Sequence, residues 1–294
     1  MLVAGCSDDS VSCADPGLAA ETDPLLGQPV ETTDQNGCRA LKPRRRVDGP
    51  ETVEDHRWTP GGPLVVSAGK GSIEVVAGSV SGVKVTSRLF VTVPADTSDD
   101  EVNAAFQSEY ARITINEFPG IYQAVGVGIY ALPAPREVYG VDLRIEVPVA
   151  FDGWLKIEQD IGKVRVAFSG DSPNVEIASR GACDLALGPR AAYLKVDCDS
   201  ITASVADIPA DLLTGFLQSY GGDVALSFAD VPENKSFVVS ATAASGVDPG
   251  NAASVACVVN EYDSWLKVGC GPAPEKAPGY SVSATPPGKI VLGF

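Results

Sequence analysis

The 294-residue sequence contains few of the side chains from which catalytic and metal sites are usually built. It has one histidine, His56, one methionine and three tryptophans. A Ser-His-Asp or Cys-His site would therefore have a single candidate base, and zinc sites usually need histidine or clustered cysteine, which the sequence does not offer. We therefore expect that the protein is not an enzyme and that it holds no cofactor and no metal.

Positive charge is also scarce. Lys and Arg number 22 against 38 Asp and Glu, which gives a net charge of -16 at pH 7. Because proteins hold a nucleic-acid backbone through Lys and Arg, this balance argues against nucleic acid as a partner. No run is long and apolar enough to predict a membrane-spanning helix. The hydrophobic content of 45% is nevertheless ample for a core.

Met1 is followed by four residues that lead to a cysteine, in the stretch Leu2-Val3-Ala4-Gly5-Cys6. This stretch resembles the lipobox of bacterial lipoproteins, where a signal peptidase cuts before the cysteine and the new N-terminal cysteine carries lipid. The basic and apolar regions of a signal peptide do not precede it. We interpret residues 1–5 as the remnant of a lipoprotein signal peptide and predict a lipid on Cys6; the alternative is a chance match.

Residues 6–62 are predicted to lie outside the folded body. Between Ser7 and Gly37 there are seven acidic residues and no basic ones, and such a stretch cannot bury enough apolar surface to offset its ordering entropy. We interpret it as a disordered, lipid-anchored tether. A basic stretch follows, with Arg39, Lys42 and Arg44 to Arg46. It could contact an anionic surface, but we favour a solvated linker.

Six cysteines remain once Cys6 is assigned to the lipid. The sequence alone does not choose among their connectivities, and we predict local pairs, namely Cys13 with Cys38, Cys183 with Cys198 and Cys257 with Cys270. An even set indicates an oxidising compartment. Together with the lipobox and the tether, it predicts a lipid-anchored protein of the bacterial cell envelope, at the outer membrane and facing the periplasm or the cell surface.

Residues 63–294 are predicted to form one all-β domain. Segments such as Ser72–Val76 and Val83–Thr86 alternate with glycines, which is the pattern of short strands. Only one segment predicts a helix: Ser98 is a suitable N-cap with Glu101 three residues later, and Val102, Ala105, Phe106 and Tyr110 share a face. The remaining segments are spaced too tightly for helices. We predict a single-stranded-type β-solenoid or β-helix-like domain, with a β-sandwich as the alternative.

A short motif occurs three times in this domain, as GWLKIE at 153–158, AYLKVD at 192–197 and SWLKVG at 264–269. In a strand, the leucine and the aliphatic residue point to one face, and the aromatic and the lysine point to the other. The second face is a candidate ligand surface made of Trp154, Lys156, Tyr193, Lys195, Trp265 and Lys267. Aromatic and basic side chains also cover ordinary sheet surface, and that is the interpretation we favour.

Five stretches together resemble the bacterial putative-adhesin family: GKGSIEVVAGSVSGVKVTS, VDLRIEVPVAFDGWLKIEQDIGKVRVAF, GGDVALSFAD, FVVSATAASG and GYSVSATPPGKIVLGF. The resemblance covers Pro63 to Phe294. It implies a β-solenoid-like domain of the kind found in membrane-attached envelope proteins, and it offers no catalytic residues.

Two functional hypotheses follow. The first is a non-enzymatic envelope lipoprotein, attached to the membrane by its lipid anchor, that displays the β domain for binding or adhesion to a glycan or protein surface. The alternative is an envelope enzyme, a β-helix acting on polysaccharide with Asp, Lys and Arg.

Overall fold

The computed structural model describes residues 23, 25–27, 29–33, 38–58, 60–107, 113–118, 124–129, 139–168, 170, 173–188, 193–206, 214–229, 236–252, 257–262, 265–272, 274, 277 and 279–294. Cys6, Cys13 and Tyr110 lie outside the described residues, so the predictions that concern them stay predictions. Among the described residues, no helix has the length and apolar content needed to cross a bilayer.

Strands dominate the described part of the chain, and one helix, α1 (Asp99–Phe106), interrupts them. The strands are β1 (Val30–Thr33), β2 (Arg39–Lys42), β3 (Arg44–His56), β4 (Leu64–Gly78), β5 (Val83–Pro94), β6 (Ile113–Phe118), β7 (Ala124–Ile129), β8 (Tyr139–Pro148), β9 (Trp154–Ala167), β10 (Asn174–Leu187), β11 (Tyr193–Cys198), β12 (Ser200–Val205), β13 (Thr214–Ser219), β14 (Val224–Phe228), β15 (Phe237–Ala243), β16 (Val247–Asp248), β17 (Val258–Glu261), β18 (Leu266–Cys270), β19 (Gly279–Ala284) and β20 (Ile290–Gly293). The predicted all-β class with one short helix is confirmed.

Successive turns of the chain, which we call rungs, stack through parallel pairing. The long strands β4, β9 and β10 each form a whole rung, and the later rungs are β11 with β12, β13 with β14, β19 with β20, and β15 with β16. The first half of each rung belongs to one sheet, the first sheet, and the second half belongs to the second sheet. The last two rungs stack in the reverse of their chain order.

Glycines allow the three long strands to turn the corner from the first sheet to the second. Gly71 has a φ of 130° and Gly162 has a φ of 146°, a region of conformational space that favours glycine. A β-carbon on Gly162 would lie 1.7 Å from the carbonyl oxygen of Gly71. Gly71, Gly162 and Gly181 are register partners in successive rungs. The backbones therefore approach closely at the corner because no side chain separates them.

Buried polar side chains bond the backbone on the inside of this corner. The Gln159 side-chain amide donates to the carbonyl of Gly71 at 2.7 Å, and the Ser179 hydroxyl donates to the Gln159 carbonyl oxygen at 3.3 Å. In the later rungs, the hydroxyl of Ser219 at the end of β13 donates to the carbonyl of Asp199, between β11 and β12, at 2.6 Å. These bonds satisfy polar groups that the turn removes from the strand ladders.

The two sheets share one core because their inner faces alternate in the same way. Leu155 and Ile157 in the first half of β9 and Val164 and Val166 in its second half are all fully buried and belong to the same hydrophobic cluster. Alternation at a period of two residues sends their neighbours to the outside. Two sheets that face each other across one core are common to a flattened solenoid and a sandwich, so the choice between these two names stays a prediction.

Two of the predicted disulfides are confirmed. Cys183 and Cys198 are bonded with a Cα–Cα distance of 6.2 Å, and both are buried. This bond joins the second-sheet half of β10 to the first-sheet strand of the next rung. Cys257 and Cys270 are bonded as well, 4.3 Å apart at their Cα atoms. Cys38 is also disulfide-bonded, but its predicted partner lies outside the described residues.

The structure differs from the prediction of a disordered tether and linker at residues 6–62, because Val30–Thr33 and Arg39–Lys42 form the paired strands β1 and β2. Within the basic stretch, Arg44–His56 forms strand β3. This strand pairs antiparallel with β5, and β5 pairs antiparallel with β8 at one end of the second sheet. The Arg46 guanidinium bonds Asp142 and Asp48 and lies 3.8 Å from the Phe90 ring centroid. Charge density suggested a solvated segment, but these basic side chains have partners within the fold, which allows the strand to pack.

The helix follows the prediction closely. Ser98 is the N-cap, and the capping box with Glu101 is present. Val102 is buried against Val91 and Val93 in a small second core beside the stack. At the opposite end of the stack, β18 pairs antiparallel with β15, and β17 pairs antiparallel with β18. This hairpin covers the last first-sheet rung.

Candidate binding surface

The outer face of the first sheet is the surface that carries the sequence-predicted ligand residues. Register partners form one continuous row across seven strands, from β9 to β18. The row consists of Lys156, Glu176, Lys195, Phe216, Ser281, Ser240 and Lys267. Because neighbouring positions in each strand are buried, these side chains point to the outside.

Two predicted aromatic residues meet at one end of this face. The rings of Trp154 and Tyr193 lie 5.2 Å apart at their centroids and are tilted by 41°. Their strands are separated by β10, whose Asn174 accepts a hydrogen bond from the Tyr193 backbone N–H at 3.0 Å. Trp154 remains 39% exposed. The pair is therefore anchored but presents aromatic surface to the outside.

The predicted lysines on this end are balanced by carboxylates. The Lys156 ammonium lies 2.8 Å from Glu158, and this hydrogen bond raises the pKa of Lys156 above its usual value. Lys195 lies 3.5 Å from Asp197 and 3.6 Å from Glu176, and the charge of Asp197 is the main cause that raises the pKa of Lys195. The lysines stay protonated at neutral pH, and the acids around them leave no positive patch.

The third copy of the motif lies at the other end of the same face. Lys267 is the register partner of Ser240, and Trp265 stacks on Tyr262 with ring centroids 4.0 Å apart and planes within 5°. Tyr262 is 52% exposed and Trp265 is 36% exposed. Since β18 runs antiparallel to the rungs, this copy points in the opposite direction along the sheet from the first two.

Sequence reasoning missed an aromatic residue in the middle of the face. Phe216 is 46% exposed and is the register partner of Lys195 on one side and Ser281 on the other. The alternation Phe216, Leu217, Gln218 was the available signal, because a buried Leu217 turns both neighbours outward. The three-copy motif did not reveal it, since this strand lacks the Leu-Lys pair.

A groove adjoins the face along the corner between the sheets. It has a volume of about 840 Å³ and is lined in part by Glu158, Asp160, Arg180, Asp199 and Tyr220. Charges of both signs line it. Within the described ranges, no three or more His, Cys, Asp or Glu side chains are placed to hold a metal ion. His56 lies in β3, away from this face.

The structure therefore brings Trp154, Lys156, Tyr193 and Lys195 together in one cluster. It places Trp265 and Lys267 six strands away on the same face. The binding role of all six residues stays a prediction at this point.

The similarity of this chain to known proteins lies in structure and not in sequence. No family model matches the sequence, and no curated protein has a significantly similar sequence. A solved structure described as a "putative cell adhesion protein" from Clostridium sporogenes is 9% identical, with a TM-score of 0.46; the match covers 83% of this chain and 98% of that chain. A "putative adhesin" from Bacteroides fragilis is also 9% identical, with a TM-score of 0.29; this match covers 83% of this chain and 97% of that chain.

Proposed function

We propose that this protein is a non-enzymatic binding module of the bacterial cell envelope, anchored by a lipid on Cys6, and that it adheres through the outer face of the first sheet. One observation carries the proposal. Among the described residues, every exposed aromatic side chain lies on this face, at its corner or on its hairpin: Trp154, Phe216, Tyr220, Tyr262 and Trp265. Exposed aromatic side chains in such number mark interaction surfaces.

The rigid support under the face favours the same function. The face is formed by paired strands whose opposite side is buried in the core, so the spacing of its side chains is fixed before any partner arrives. A preorganised surface loses little conformational entropy on binding. The predicted tether and lipid would hold this surface at a distance from the membrane.

The test is a cell-binding assay with the labelled full-length chain on cells and envelope fractions of the producing bacterium. We expect saturable binding, and we expect the double variant Trp154→Ala with Trp265→Ala to lose most of it. Val291→Ala is the matched control, because Val291 is also exposed but lies on the second sheet. Absence of saturable binding, or equal loss in the control, would contradict the proposal.

The polysaccharide-active enzyme remains the second candidate, because the corner groove brings Asp160, Asp199 and Arg180 to one concavity beside the face. Catalysis would release shorter chains from the bound material. Incubating the protein with envelope polysaccharide and measuring chain length over time distinguishes the two functions: binding without shortening supports the module, and shortening that Asp160→Asn abolishes supports the enzyme.

A further inference from the structure

Three of the exposed aromatic residues of the first sheet, Trp154, Phe216 and Trp265, lie on a line that crosses the strands diagonally. Phe216 is in the row of Lys156 and Lys267, three strands from each. Trp154 lies two residues before Lys156. Trp265 lies two residues before Lys267 and directly precedes the antiparallel strand β18, so it is displaced in the opposite direction. Phe216 is therefore the midpoint between the two tryptophans. We call Trp154, Phe216 and Trp265 the aromatic diagonal.

The spacing along this diagonal is regular. Neighbouring strands are about 4.8 Å apart and each residue adds about 3.3 Å, so three strands and two residues correspond to about 16 Å between successive aromatic residues. The whole diagonal spans about 32 Å on the same geometry. A ligand that contacts all three rings must therefore be extended, because a compact ligand would reach only one.

The side chains between the rings are polar and mostly uncharged on one half of the diagonal. Ser281, Ser240, Ser283 and Thr242 lie between Phe216 and Trp265 as outward register partners. On the other half, Lys195 is held between Glu176 and Asp197. Hydroxyl and amide groups both donate and accept hydrogen bonds. The surface therefore offers hydrogen bonds along its length without a net positive field.

From this arrangement we infer that the ligand is an uncharged linear polysaccharide that lies along the aromatic diagonal; the inference rests on the proposed function of this face. The face of an aromatic ring carries negative charge density, which attracts the polarised C–H groups on one side of a pyranose ring. The sugar hydroxyls bond the serine and threonine hydroxyls between the rings. An anionic polymer gains no net attraction from this face, because Glu158, Glu176 and Asp197 balance its lysines, and it is repelled by the chain's net charge of -16.

Chain length is the property that tests this inference most directly. A polysaccharide long enough to reach all three rings binds more tightly, because its second and third contacts form within a complex that already exists. An oligosaccharide that covers one ring does not. We therefore expect affinity to rise steeply once the sugar chain exceeds about 16 Å, the distance between two rings, and again when it reaches the third.

The experiment measures binding of the full-length chain by affinity electrophoresis and calorimetry. The probes are the uncharged polymers xylan, mannan, amylose and hydroxyethyl cellulose, their size-fractionated oligosaccharides, and anionic alginate. We expect at least one uncharged polymer to bind and alginate not to bind. Trp154→Ala, Phe216→Ala and Trp265→Ala should each weaken polymer binding about tenfold, which corresponds to about 1.4 kcal/mol. Phe216→Tyr should retain binding, and Val291→Ala should have no effect.

The outcomes separate this inference from the proposed function. Binding to protease-sensitive envelope material only, with none of the polysaccharides bound, would overturn the glycan inference and leave the binding module intact. Polymer binding that is independent of chain length, or unaffected by Phe216→Ala, would overturn the inference that the ligand lies along the aromatic diagonal. If the chain binds neither polysaccharide nor envelope material, the proposed function fails as well.

Discussion

The two sheets of the stack are alike on the inside and different on the outside. Both bury alternating aliphatic side chains in the same core. On the outer face of the second sheet, however, the central row consists of Glu74, Arg165, Asp184, Thr202, Ala225 and Val291. No aromatic residue occurs in this row. The first sheet carries three exposed rings at even spacing on the corresponding face.

This difference distinguishes the inner faces, which stabilise the fold, from the outer faces, which are available for contacts with other molecules. The inner faces decide stability, so an outer face needs only to be polar enough to stay solvated. The second sheet meets that requirement with small side chains and ion pairs such as Arg165 with Glu74 at 3.0 Å. The aromatic surface on the first sheet exceeds what solvation of an outer face requires, which is why we assign it to binding.

The largest expected effect comes from the corner that both sheets share. Gly162→Ala should destabilise the protein by at least about 4 kcal/mol, because the new methyl group would contact a backbone oxygen of the neighbouring rung and the φ of Gly162 is unfavourable for alanine. Urea unfolding followed by far-UV circular dichroism measures it.

The control for this prediction is Gly221→Ala, also at a corner, where no atom lies within 4 Å of the new methyl group. It should change the free energy of unfolding by less than about 0.5 kcal/mol. Similar losses of unfolding free energy in the two variants would show that the close approach of the rungs at Gly162 does not make this position sensitive to a side chain.

The disulfide between the two sheets should have the next largest effect. Replacing both Cys183 and Cys198 with alanine opens a loop of 15 residues and should cost about 3 kcal/mol in the free energy of unfolding. Because the bond connects the first sheet to the second, the double variant should lose its far-UV circular dichroism signal in a single transition, with a lower urea midpoint than the unmodified protein. An unchanged midpoint would contradict this role.

Substitutions on the outer faces of the two sheets should have smaller effects on the free energy of unfolding. The loss should be larger on the first sheet than on the second. Trp154→Ala removes the ring contact with Tyr193 and should cost about 1 kcal/mol. Thr202→Ala, on the second sheet, should stay within about 0.5 kcal/mol. Equal costs for the two variants in urea unfolding would remove the distinction between the faces as far as stability is concerned.

The smallest effect concerns pH. The pKa values of Lys156 and Lys195 are raised by Glu158 and Asp197. A raised pKa in the folded state contributes stability below the ordinary value of 10.5, and this contribution is lost as the pH rises through the folded-state pKa. Exposed ion pairs contribute little, about 0–1 kcal/mol.

The pH prediction is tested by comparing unfolding free energies at about pH 9 and above pH 10.5. The double variant Lys156→Met with Lys195→Met should lose less stability over this interval than the unmodified protein. Lys163→Met on the second sheet is the matched control. A double variant with an unchanged pH dependence would show that these ion pairs do not stabilise the first sheet.

Much of the local structure could be predicted from the sequence. The capping box at Ser98 and Glu101 was recognised because it depends on residues three apart. Alternation within each motif placed Trp154 and Lys156 opposite Leu155 for the same reason. The pairs Cys183 with Cys198 and Cys257 with Cys270 were predicted correctly because each partner is close in sequence. The pairing of Arg44–His56 was missed, since its partner strand β5 is distant along the chain.

The sequence by itself determined which side chains of each strand point outward, because that choice follows from the geometry of a single extended chain. Only the tertiary structure decided how these outward side chains are arranged relative to each other. Phe216 and Ser281 are register partners although 65 positions separate them, and β18 reverses the direction of the third motif. The aromatic diagonal depends on this register, which is fixed by packing between rungs and not by any local pattern.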